Sequence, residues 1–191
     1  MALVDRVKNI LLTPREEWQV IDAEPTTPAE LYKGYILPLA AIGPVASAIG
    51  ALAFGYQGFG LNYRPPVGTV FTSAIVTYLL TLGGVYVLAL IIDALAPNFG
   101  GTANQIQALK VAAYSSTASW VAGIFGLVPV LSWLGILGLY SLYLLYLGLP
   151  VLMKSPPEKA GGYTAVVIIA AIVLFLVIGL VAGTFMSGTF G

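Results

Sequence analysis

Four stretches of this chain, residues 34–63, 65–92, 111–153 and 160–191, contain no charged side chain, and they are 30, 28, 43 and 32 residues long. A helix rises ~1.5 Å per residue, so ~20 mostly apolar residues cross the ~30 Å hydrocarbon core of a bilayer. Each run is long enough for one crossing, and the third is about twice that length. It is interrupted at Leu127-Val128-Pro129-Val130, where proline cannot donate into a helix interior and a tight hairpin is expected. Only 8% of the 191 residues are charged and 59% are hydrophobic, against ~25% charged in a soluble domain. The expectation is an all-α polytopic membrane protein, a bundle of five transmembrane helices over residues 31–54, 70–93, 106–127, 131–153 and 163–185. A short amphipathic cytoplasmic segment, residues 1–30, precedes them, and an external tail, residues 186–191, follows. The first span begins too late to be a secretory signal peptide.

Basic residues set the orientation. With five spans, Arg6, Lys8, Arg15, Lys33, Lys110, Lys154 and Lys159 share one side, and Arg64 stands alone on the other. That split puts the N-terminus in the cytoplasm and the C-terminus outside. A single crossing by residues 111–153 would leave five basic residues on one side and three on the other.

In the N-terminal segment, Leu3, Val7, Ile10 and Leu11 recur at helical spacing opposite Asp5, Arg6, Lys8 and Asn9. Such a helix either packs its apolar face on the ends of the spans or lies in the membrane interface. Thr13-Pro14-Arg15-Glu16 and Thr27-Pro28-Ala29-Glu30 each read as a capping box, with Thr at the N-cap, Pro first in the helix and Glu third. The first box opens a short helix carrying Trp18, read as an interface anchor. The second opens the first span. Glu16, Glu17, Asp22, Glu24 and Glu30 make this segment locally acidic, either a solvated face or a surface for a cytosolic partner.

Small residues recur on the third helix at four-residue spacing: Ala112/Ser116, Ser115/Ser119/Gly123 and Ala118/Ala122/Gly126. Small side chains let backbones approach where no hydrophobic effect drives helix association, which places this helix at the centre of the bundle. Gly179 and Gly183 form a GxxxG on the fifth helix, for intramolecular packing or a homo-oligomer contact. Pro38 and Pro44 in the first span and Gly83-Gly84 in the second predict kinks or local breaks. Hydroxyls gather on the second helix (Thr72, Ser73, Thr77, Thr81) and, beside Tyr114, on the third (Ser115, Ser116, Thr117, Ser119). They bond back to their own helix or across to a neighbour. Tyr140, Tyr143 and Tyr146 form a stripe that either fills the core, bonded to the third helix, or combines packing with an interface belt.

The chain has no His and no Cys, which removes Ser-His and Cys-His catalysis, zinc and haem sites built on those ligands, and thiol chemistry. A net charge of +0 argues against a nucleic-acid partner, since phosphate binding needs clustered Lys and Arg. No cofactor is implied. The ionisable residues nearest the bilayer are Asp93 and Lys110, flanking the loop that contains Pro97, Phe99, Gly100 and Gly101. They are expected at headgroup level, close enough to pair and pin that loop. One acid cannot form an aspartyl dyad.

Several stretches together carry a family likeness: Pro14-Arg15-Glu16-Glu17-Trp18 leading into Tyr35-Ile36-Leu37-Pro38-Leu39-Ala40-Ala41-Ile42; Asp93-Ala94-Leu95-Ala96-Pro97-Asn98-Phe99-Gly100-Gly101; Gln107-Ala108-Leu109-Lys110-Val111-Ala112-Ala113-Tyr114-Ser115; and Tyr143-Leu144-Leu145-Tyr146-Leu147-Gly148-Leu149-Pro150 before Met153-Lys154-Ser155-Pro156. In this order they resemble the bacterial branch of the YIP family, the Ypt/Rab-interacting membrane proteins. The resemblance implies a five-helix membrane domain with a cytosolic N-terminus. Eukaryotic members act in endoplasmic reticulum–Golgi transport, bind Rab-type GTPases, and associate with one another and with membrane-curving proteins. Rab binding is not carried over, because the long N-terminal region of those members has no counterpart in this sequence. Ala118 stands where the family often has a proline.

Two functions of different class remain. One is a non-enzymatic membrane scaffold or organiser, acting through helix packing with the lipid bilayer, a membrane-protein partner or a second copy. The other is a small transporter or channel using the hydroxyl-rich second and third helices. The residue inventory speaks against an intramembrane enzyme.

Overall fold

The computed structural model describes residues 2–58 and 61–187. Two short helices come first, α1 (Leu3–Leu12) and α2 (Pro14–Ala23). The capping box expected at Thr13 does not form. The Thr13 N–H already bonds to Asn9 O at 2.7 Å, continuing α1, and its hydroxyl donates back to the same carbonyl at 3.2 Å. Glu16 therefore has no free N–H to reach. At Thr27 the N–H is free, and the box closes. Glu30 Oε2 accepts from Thr27 N at 2.8 Å while Thr27 Oγ1 accepts from Glu30 N at 3.3 Å.

The helix opened by that box is broken, as Pro38 and Pro44 predict. It comprises α3 (Pro28–Leu31), a π-helical turn over Tyr32–Ile36, α4 (Leu37–Ala40) and α5 (Ile42–Phe54). The wide turn lies just ahead of Pro38, whose ring would clash with the carbonyl four residues back in a regular helix. A short antiparallel pair, β1 (Tyr56–Gly58) and β2 (Leu61–Tyr63), leads to α6 (Val67–Leu95), which is unbroken through Gly83-Gly84. A 3-10 turn over Ala96–Phe99 ends at Gly100, which adopts φ 72°. Next come α7 (Gln105–Ser115), capped by the Asn104 side chain, and α8 (Thr117–Ala122). Two 3-10 segments follow, Gly123–Leu127 and Pro129–Leu139, separated by extended backbone at Val128. The chain closes with α9 (Tyr140–Leu152) and α10 (Pro157–Ser187). Of the expected external tail, residues 188–191 lie outside the described residues.

Among the described residues, four stretches are long and apolar enough to cross a membrane: Pro28–Phe54, Val67–Phe99, Pro129–Leu152 and Pro157–Leu180. Residues 106–127, expected as one continuous span, are instead divided between α7, α8 and a 3-10 segment. Hydroxyls cluster at the first division. Ser115 and Ser116 bond to Ala112 O at 3.3 and 2.8 Å, and Thr117 bonds to Tyr114 O at 2.7 Å, in competition with the backbone ladder. Gly123 and Gly126 then weaken the helix further.

The most buried large side chains, among them Trp18, Tyr163, Ile10, Ile92 and Leu144, gather where α1 and α2 cover the ends of the later helices. Ile10 is fully buried and Leu3, Val7 and Leu11 pack against this core, so α1 docks on the bundle. Trp18 is 0% exposed, a core residue and not an interface anchor. Gly148 of α9 makes room for it: a Cβ there would meet the indole at 2.6 Å. In the tyrosine stripe, Tyr140 donates to Leu11 O at 3.1 Å, reaching α1 instead of the third helix, while Tyr143 and Tyr146 are exposed. Away from this end the outer faces are apolar, with Leu79, Phe175, Leu176 and Trp133 all exposed. A soluble monomer rarely shows so much contiguous apolar surface.

Candidate functional site

Two features stand out: a buried polar layer beneath the N-terminal helices, and a hydroxyl-lined groove in the bundle. In the layer, Arg6 of α1 is buried and its guanidinium bridges Glu17 of α2 and Glu24 just beyond it. The guanidinium carbon lies 5.7 Å from the centre of the Tyr114 ring, a cation–π contact. Tyr114 is edge-on to Trp18 at 6.3 Å and tilted against Tyr35 at 4.5 Å. Thr117 Oγ1 donates to Tyr114 O at 2.7 Å, so in its 2.7 Å contact with Tyr35 the phenol is the donor.

Lys110 does not pair with Asp93; no ion pair between them occurs among the described residues. Its Nζ donates to Ile21 O at 2.8 Å and Glu24 O at 2.6 Å. The last carbonyls of a helix have no partner within it and carry the negative end of its dipole, so the end of α2 takes the ammonium. Gln107, one turn earlier on α7, donates to Asp22 Oδ1 at 3.1 Å, and Lys154 reaches Asp22 Oδ2 at 2.5 Å. Asp93 lies apart, its Oδ1 buried with no hydrogen-bond partner. The loop that such a pair would pin is held by other means. Phe99 stacks on Tyr163 at 5.0 Å, Thr102 N donates to Met153 O at 2.7 Å, and a Cβ on Gly101 would meet Met153 O at 2.6 Å. Pro97 is exposed in the 3-10 turn, and Gly100 packs beside Pro156.

Among the small residues, Ala112 is fully buried. A Cβ on Gly123 would meet Gly43 Cα at 2.7 Å, and one on Gly126 would meet Ser47 Oγ at 2.6 Å. At Gly50 it would collide with the Gly126 carbonyl. Residues 123–127 and α5 thus touch backbone to backbone. Gly179 faces open space, and the surroundings of Gly183 lie outside the described residues. Gly123→Leu is therefore expected to destabilise the protein by at least the ~1–3 kcal/mol typical of overpacking, while Gly179→Leu leaves detergent melting unchanged. Equal melting of both variants would overturn this contact.

The groove has a volume of about 370 Å³ and lies between α5, α6 and α10, with Ser116, Ser119 and Trp120 among the residues that line it. Thr69, Ser73, Thr77 and Thr81, one helical turn apart on α6, all line it. Thr81 bonds to Thr77 O at 2.8 Å, and Ser119 bonds to Gly138 O at 3.1 Å and to Ser141 at 2.9 Å. The hydroxyls of Thr69, Ser73 and Thr77 have no partner among the described residues. The wall has no carboxylate or amine, and the Tyr63 phenol is its one titratable group. Such a surface can hold an apolar or neutral group but is not equipped to move a proton. Among the described residues no cluster of three His, Cys, Asp or Glu could hold a metal.

Sequence reasoning put Arg6 on the solvent side of α1 and did not single out Gln107. A signal was present for Arg6: it lies one turn from Ile10 on the buried stripe, in a segment with surplus acid.

The chain is similar to the inner membrane proteins called YohC of Escherichia coli K12 and of E. coli O6:H1 strain CFT073. Each is 27% identical over 128 residues, a match that spans 66% of this chain and 66% of the relative. No solved structure matches. The Yip1 domain pattern covers residues 8–179, from α1 through most of α10. An N-terminal helical pair clasped to a bundle of apolar helices is thus the form this pattern takes here, and the chain belongs to the Yip1 domain family of integral membrane proteins.

Proposed function

We propose that this protein is a non-catalytic organiser of the membrane, acting through its lipid- and partner-facing helices. The observation that carries this reading is where its ionisable groups sit. The buried charged side chains, Arg6, Glu17 and Lys110, join the N-terminal helices to the bundle, the half-buried Asp93 lies near the end of α6, and the groove wall has no charge. A conduit for ions is commonly built from charged side chains or rings of backbone carbonyls, and the hydroxyls on this wall carry no charge. In proteoliposomes the purified protein is expected to give no more proton, potassium or small-solute flux than protein-free vesicles. Flux that Ser73→Leu together with Ser119→Leu abolishes would favour the transporter reading.

In this proposal the chain crosses five times, with the N-terminus in the cytoplasm. Residues 105–127 form the additional crossing as a broken helix. Beyond Lys110, at ~1.5 Å per residue through α7 and α8 and ~2.0 Å for the 3-10 segment, it reaches about 28 Å, close to the ~30 Å core. The seven-to-one split of basic residues supports this arrangement. Alkaline phosphatase fused after Gly191 should be active in the periplasm, and fused after Lys154 inactive. Activity at both positions, or at neither, would reject it.

A further inference from the structure

We propose that the groove between α5, α6 and α10 is a phospholipid site, with one acyl chain along its length and the phosphate at Arg64. The proposal deepens the organiser reading and rests on its claim that lipids are what this chain acts on.

Dimension is the first argument. The α6 wall runs from Thr69 to Leu88, a rise of about 29 Å at ~1.5 Å per residue, long enough for the ester region of a lipid held at Arg64 and one extended acyl chain below it. Spread over that length, 370 Å³ makes a slot of single-chain width, whereas a compact solute would need a shorter and wider chamber. The walls suit a chain. Gly43, Ala48 and Ala74 leave the space, and Leu174, Phe175 and Ile178 supply apolar contact. Phe175 is also exposed, so the slot borders the outer apolar surface that faces lipid tails.

Charge and hydrogen bonding are the second argument. Arg64 lies between Tyr63 and Pro65, both of which line the slot. It is the only basic residue between Lys33 and Lys110. It is exposed and has no acidic partner within ion-pair distance among the described residues. Its stem passes 2.9 Å from where a Cβ on Gly55 would stand. A guanidinium with no internal partner is suited to a phosphate, which it can grip with two parallel hydrogen bonds. The unpaired hydroxyls of Thr69 and Ser73 lie in the first two turns of α6. That is the depth at which the ester carbonyls of a glycerolipid present acceptors beneath its phosphate. Phosphate, esters and chain thus meet Arg64, the hydroxyls and the slot in that order.

The test uses the full-length protein in vesicles of phosphatidylethanolamine and phosphatidylglycerol. The probe is a trace of phosphatidylglycerol with a photoactivatable diazirine in one acyl chain. Cross-links after irradiation are mapped by mass spectrometry. Sites around Ala74 and Leu174, which line the slot without being exposed on the outer face, are expected to label several-fold above the outward-facing Leu79 and Leu176. Thr77→Phe, which fills the slot, should remove that excess and leave Leu79 labelling unchanged. Arg64→Gln should lower slot labelling about five-fold. Diacylglycerol carrying the same chain should label the wild-type slot as weakly as phosphatidylglycerol labels Arg64→Gln. Thr69→Val, which keeps the volume of the side chain, serves where Thr77→Phe disturbs folding, and should cost about three-fold. Equal labelling of slot and outer face would show ordinary boundary lipid and overturn the site. So would labelling unmoved by both Arg64→Gln and Thr69→Val. Diacylglycerol labelling as strong as phosphatidylglycerol would overturn the phosphate assignment. Flux in the transport assay would defeat the organiser reading without altering these patterns, so the two failures are distinguishable.

Discussion

Trp18→Ala is expected to lower stability by ~3–5 kcal/mol, the range for truncating a large buried aromatic side chain. The indole is 0% exposed, edge-on to Tyr114 and lodged over Gly148. It is the largest side chain among those fully buried, and it joins α2 to both α7 and α9. Its loss should free the N-terminal helices as a unit. Denaturant unfolding in mild detergent measures the cost, and protease cleavage within residues 3–23 should rise in parallel. Trp18→Phe should cost less, because the indole N–H has no hydrogen-bond partner among the described residues and its removal relieves that group. Gly148→Leu should reproduce the Trp18→Ala phenotype from the other side of the contact. A loss below ~1 kcal/mol for Trp18→Ala would mean the segment does not rest on the bundle through this ring.

The second large effect concerns Arg6. Arg6→Met leaves Glu17 buried without its cation, and breaking a buried pair by removing one partner costs ~3–5 kcal/mol. Replacing both partners by apolar residues is often close to neutral. The double variant Arg6→Met/Glu17→Leu should therefore recover most of the loss. Glu24, the other partner, is far more exposed, and Glu24→Gln should fall in the ~0–1 kcal/mol range of surface pairs. A double-mutant cycle across Arg6 and Glu17 gives the coupling directly. Additive losses would show that the two residues act independently.

The apolar crossings were legible because spanning length is a matter of composition, and four of the expected spans coincide with long apolar helices. The division near Ser116 was not. It comes from side-chain hydroxyls competing for individual carbonyls, and a count of apolar residues is blind to that. Thr13 and Thr27 make the same point: they begin identical capping signatures, and only the one with a free N–H closes its box. Arg6 and Trp18 were misplaced for a related reason. An amphipathic pattern assigns charge to solvent and tryptophan to the interface. Burial of Arg6 depends on Tyr114, far along the chain, and burial of Trp18 depends on the missing side chain at Gly148. The groove was partly visible: Ser73, Thr77, Thr81, Ser116 and Ser119 were singled out as hydroxyl-rich positions and do line it. Thr69 was overlooked, and Thr72, on another face of α6, does not contribute.

The Lys110 bond has a consequence for how this fold tolerates sequence drift. Its acceptors are the main-chain oxygens of Ile21 and Glu24, and every amino acid offers a main-chain oxygen. Substitution at either acceptor position leaves the bond itself intact. At position 110 the side chain must be long, cationic and flexible enough to bring a donor to two carbonyls, and few residues qualify. The constraint is therefore written in one helix only. A saturation library over residues 20–25 and 110 should show it as a lopsided map, permissive toward this bond on the α2 side and nearly closed at position 110.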